Sequence, residues 1–75
     1  MVTSEQIRAA RALKGLSQAE VAGLIGTTTK TIQRAETDAG KVAVKTIEAI
    51  CKALEKAGVE FIKENGGGPG VRLKK

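Results

Sequence analysis

Apolar residues recur along this chain at helical spacing in four short segments, and near the end the spacing drops to two. Ile7, Ala10 and Leu13 follow a Thr3–Gln6 pair, the separation of a reciprocal capping box. The pattern predicts a first helix over about residues 4–14, stopped at Gly15. Ser17 and Glu20 repeat the capping pair, and Val21, Ala22, Leu24 and Ile25 supply the apolar face of a two-turn helix that Gly26 ends. Thr28 can cap a third helix running to about Glu36, with Ile32 and Ala35 inward and Thr29, Lys30, Gln33 and Arg34 outside. Residues 37–42 read as a loop, with Asp38 and Gly40 as turn residues. A fourth helix is predicted from about Val44 to Ala57, with Ile47, Ile50, Cys51 and Leu54 on one stripe and Gly58 as its stop.

Residues 59–63 then alternate imperfectly, and residues 71–74 alternate cleanly with period two. Between them lies the turn-rich connector ENGGGPG, residues 64–70. Two strands in a hairpin are expected; the competing reading is a disordered, glycine-rich tail. The expected fold is mainly α: a four-helix domain over residues 1–58 and a short C-terminal β-hairpin over residues 59–75.

Residues 17–36, SQAEVAGLIGTTTKTIQRAE, carry the functional pattern. Two short helices joined by a tight turn need a small residue where they cross, and Ala22 stands there. The turn needs a residue tolerant of positive φ, and Gly26 supplies it. The second helix needs an inward aliphatic residue, Ile32, and Val21 and Ile25 complete the small core. Its outer face is left polar and able to enter a groove.

With a helix before and a helix after, these segments closely resemble the helix-turn-helix of the lambdoid phage repressor and Cro family, the XRE-like regulators. The resemblance covers about residues 4–57 and implies a repressor-like domain that lays its second motif helix in the DNA major groove. Carried over by position, Thr29, Lys30 and Gln33 would meet bases: Lys can donate to guanine, Gln can pair with adenine, and Thr can touch a thymine methyl. Gln18 would bind a phosphate and brace the reading helix. Thr28, Arg34, Lys41 and Lys45 would lie on the DNA backbone. Many relatives also pair an Arg of the first helix with a Glu ending the reading helix, and Arg11 and Glu36 occupy those places. Relatives often have amides where Thr29 and Lys30 stand, so the resemblance implies no operator sequence.

Composition narrows the classes. In 75 residues there are one cysteine and no histidine. A disulfide within the chain is therefore excluded, as is a zinc site of about four N or S ligands. Cys51 reads as a buried structural thiol. No metal or cofactor is expected. Ser4 and Ser17 read as helix caps with no histidine as base, so nucleophilic catalysis, and an enzyme, are not expected. Residues 66–70 lack the phosphate-loop pattern and no helix follows them. The net charge of +5 favours a polyanionic partner. Phe61 is the only aromatic, which disfavours single-strand readers that stack bases on aromatic rings. Lys14, Lys52, Lys56 and Lys63 read as solubilising charge. No apolar run nears the ~18 residues of a membrane span, and the N-terminus has no apolar signal core, so a cytoplasmic protein without a membrane partner is expected.

An isolated hairpin is marginal in water. Readers of this class commonly bind two half-sites as symmetric dimers. Residues 59–74 are therefore expected to build or support a homodimer interface, with a shared sheet as one form of it; the alternative is that the hairpin folds back on helices one and four of its own chain. The expected function is transcriptional regulation on double-stranded DNA, with repression at a short palindromic operator as the default. The rival is an antitoxin or antiactivator using the same fold to hold a second protein partner.

Overall fold

The computed structural model describes residues 2–63 and 66–74. Met1, Lys75 and two residues of the expected connector, Glu64 and Asn65, lie outside the described residues. Four α-helices are followed by two strands: α1 Ser4–Leu13, α2 Gln18–Ile25, α3 Thr29–Thr37, α4 Val44–Lys56, β1 Val59–Ile62 and β2 Gly70–Leu73.

Local chemistry starts three of the helices. The Gln6 backbone N–H donates to Thr3 Oγ1 at 3.1 Å, and the Thr3 N–H donates back to Gln6 Oε1 at 2.9 Å. Ser17 and Glu20 make the same exchange at 3.0 and 2.8 Å, and those bonds hold the Glu20 carboxyl below the usual carboxylate range. Thr28 Oγ1 accepts from the Thr31 N–H at 3.3 Å. Gly26 closes α2 at φ +69°, where an L side chain would be strained. Ser4, read above as a cap, is not one. Thr3 caps α1, and Ser4 Oγ instead accepts from the Ala39 N–H at 2.7 Å. That bond ties the α3–α4 loop to α1, and the loop makes a single 3₁₀ turn at Ala39–Lys41.

The core gathers Ile7 and Ala10 of α1, Val21 and Ala22 of α2, Ile32 and Ala35 of α3, and Ile47, Ile50 and Leu54 of α4, all buried. Leu24 departs from the expected face of α2 and is 59% exposed. At about 100° per residue, Val21, Ala22 and Ile25 span one arc and Leu24 falls roughly 60° outside it. Leu13, in the last turn of α1, also remains exposed, while Cys51 is half-buried at the edge of the α4 stripe. Burial and the nearby Glu55 and Glu48 push its thiol up to about 11, so it stays protonated at neutral pH.

The chain end forms an antiparallel hairpin, with Val59 opposite Leu73 and Phe61 opposite Val71. Val59 is fully buried, and Phe61 and Val71 pack against the core. Glu60 and Arg72, opposite each other on the outer face, form a two-pronged ion pair at 2.9 and 3.2 Å. The hairpin folds back on α1 and α4 of its own chain. Gln6 secures it: its Nε2 donates to the carbonyls of Ile62 and Gly70, both at 3.0 Å. Among the described residues, no helix is long and apolar enough to cross a membrane.

Candidate nucleic-acid interface

The site is built on α3, whose two sides differ in kind. Ile32, Ala35 and Glu36 are buried, whereas Thr29, Lys30, Gln33 and Arg34 are exposed. The inner set places the helix. Glu36 is only 4% exposed; both of its carboxylate oxygens face Arg11, with Nε on Oε2 and Nη2 on Oε1 at 3.0 Å. Gln18 Nε2 donates to the same Oε1 at 3.3 Å. Arg11 also donates to the Leu16 carbonyl at 2.9 Å, and Arg8 donates to the Glu36 carbonyl at 3.0 Å. One residue at the end of α3 is thus held by side chains of α1 and α2. The hydrogen bond with Glu36 raises the Arg11 pKa further above neutrality, so this charge is permanent.

Part of α3, the 3₁₀ turn and the start of α4 enclose a shallow groove of about 280 Å³. Lys30 and Arg34 enter it from α3, and Lys41 enters from the 3₁₀ turn. Thr28 lines its edge while its hydroxyl caps α3. Thr29 and Gln33 are exposed on α3 outside this groove, and Lys45 is exposed in the first turn of α4 without lining it. Gln18 is half-buried on α2, with its amide on Glu36. The structure therefore brings Thr28, Lys30, Arg34 and Lys41 to one concavity and leaves Thr29, Gln33 and Lys45 beside it. Lys41 lies 3.9 Å from Asp38, both well exposed, a contact worth little in solvent.

The groove also has walls the sequence did not signal: Thr31, Val42, Ala43 and Thr46. Thr31 lies at the boundary of the two faces of α3, between exposed Arg34 and buried Ala35 around the helix, and is half-buried. The other three follow the Ala39–Lys41 turn, which carries the chain from the end of α3 to the start of α4. A concavity with three cations and hydroxyls, next to a protruding polar helix face, can take a polyanionic backbone while side chains reach a groove.

Comparison with known proteins agrees with this geometry. The family model described as Helix-turn-helix matches residues 7–61. The chain belongs to this XRE family of Cro/C1-type helix-turn-helix proteins, and it is a DNA-binding regulator of transcription. None of the curated proteins compared with it is a match.

Proposed function

We propose that this protein is a transcriptional repressor that acts in the cytoplasm and reads a short palindromic operator as a homodimer. The observation that carries this reading is the division of α3: a buried side locked by Glu36, and an exposed side of Thr29, Lys30, Gln33 and Arg34. In the proposed complex Thr29, Lys30 and Gln33 meet base edges in the major groove. Gln18, Thr28, Arg34, Lys41 and Lys45 contact phosphates, and occupation of the operator blocks polymerase.

Competition gel shifts with the DNA upstream of the protein's own gene, at two salt concentrations, test the site. Lys30→Ala and Gln33→Ala should each remove about 1–3 kcal/mol of preference over random competitor. Arg34→Ala should weaken binding to all sequences and reduce the salt slope by about 0.9. Binding that follows salt alone and ignores Lys30 and Gln33 would refute sequence reading by α3.

The dimer is proposed through residues 59–74. Its support is the two-stranded sheet, in which among the described residues each strand has a neighbour on one side only, and Leu73, which is 50% exposed. Open strand edges and exposed apolar side chains favour pairing with a second copy. Leu73→Lys should halve the mass seen by light scattering and leave the fold intact. A parent that already has the monomer mass would defeat this part of the proposal.

A further inference from the structure

Leu24 is the most exposed large hydrophobic side chain among the described residues. It edges an open trough of about 1040 Å³ between the end of α2 and the flank of α4. The floor is Ile25, Ala49 and Ala53, all half-buried. The small alanines, four residues apart, keep the α4 surface low beside the projecting Leu24. Around this floor stand the exposed Lys52, Lys56 and Lys74, with Glu55 the one acid among the described residues that line it. Contiguous apolar surface rimmed by charge marks an interaction site. None of these residues lines the groove beside α3.

We propose that this trough is a docking surface for an acidic amphipathic helix of a partner protein. Apolar side chains one turn apart on such a helix would lie over Leu24, Ile25 and Ala53. Its carboxylates would meet Lys52, Lys56 and Lys74. Charge decides between occupants. A second copy presenting the same face across a twofold axis sets three lysines against three lysines, with only one Glu55 on each side to offset them. A nucleic-acid backbone suits the lysines but would place phosphates over an apolar floor, losing hydration without hydrogen-bond partners. An acidic amphipathic helix satisfies both floor and rim. Since the trough and the α3 groove share no lining residue, the proposal implies that partner and DNA can be held together.

Titration of the isotope-labelled full chain with a designed helical peptide tests this. The peptide carries leucines on one face and glutamates on the other; a control carries lysines in place of the glutamates. Saturable NMR shifts are expected at Leu24, Ile25, Ala49 and Ala53 with the acidic peptide, weaker in high salt. Leu24→Glu, and separately the double variant Lys52→Glu/Lys56→Glu, should reduce affinity roughly tenfold or more. Both change exposed side chains, so melting curves should match the parent, and DNA binding in gel shifts should be unchanged. The proposal is overturned if the acidic peptide gives no saturable shifts, if the lysine peptide binds equally well, or if the shifts fall on α3 or on the hairpin away from Lys74. It is also overturned if the lysine double variant loses DNA affinity instead, or if Leu24→Glu lowers the mass seen by light scattering, which would make the trough a contact between copies.

Discussion

A carboxylate taken out of water must find partners or destabilise the fold by several kcal/mol. Glu36 finds them in Arg11 and Gln18. Removing one partner leaves the other charge stranded. Arg11→Ala should therefore destabilise the domain by about 2–4 kcal/mol, lowering the thermal midpoint by roughly 10 °C or more in a domain this small. Circular dichroism melting curves measure this, and an unchanged midpoint would show that the pair is not holding the helices. Replacing both partners, as Arg11→Met with Glu36→Leu, should recover much of the loss, because an apolar pair has no desolvation penalty to offset. The pairing was visible in the sequence only through resemblance. Its partners stand 25 residues apart, and no periodicity links them. Gln18 shows the same limit: its position suggested a brace for the reading helix, but the atom it braces, Glu36 Oε1, could be named only from the fold.

At the level of elements, most of the fold was legible because caps act over three residues. Thr3, Ser17 and Thr28 start their helices where the sequence puts them, and the helix ends differ by about a residue from expectation. The turn at Ala39–Lys41 was legible through Asp38 and Gly40, but its tie to Ser4 was not, because that hydrogen bond spans 35 residues. Leu24 was misplaced because four apolar residues in five cannot reveal which one faces out. The start of α4 offers a test. Its N-cap is Ala43, which makes no side-chain cap bond. Ala43→Ser should stabilise the domain by about 0.5–1 kcal/mol, read as a higher melting midpoint. Ala43→Asp should stabilise it similarly but weaken DNA binding, since Ala43 lines the groove with Lys30, Arg34 and Lys41 and the new carboxylate would repel phosphate. Equal DNA binding by both variants would remove that groove from the proposed interface.

For the molecule as a whole, the decisive join is between hairpin and helices. Alternation of apolar residues predicted the strands and left their docking open between a second copy and helices one and four; in the structure they pack on α1 and α4. Gln6 was readable as the capping partner of Thr3, and it is that through Oε1. The same side chain reaches the hairpin through Nε2, to acceptors 56 and 64 residues away, a distance at which local pattern carries no information. Gln6→Ala should lower global stability by about 1–3 kcal/mol. In hydrogen exchange the amides of residues 59–62 and 70–73 should lose protection before those of α2 and α3. Uniform loss across all elements would mean that the hairpin and the helices open as one unit and that Gln6 is not the latch between them.

On α3, the work of folding falls on Ile32, Ala35 and Glu36, while Thr29, Lys30 and Gln33 stand in solvent. No side chain belongs to both sets. Substitutions in the outer set therefore pass almost unnoticed by selection for stability. Under the proposed reading of bases by this outer set, descendants of this chain can over many generations exchange those letters one at a time and acquire new targets, while the scaffold that presents them is inherited unchanged.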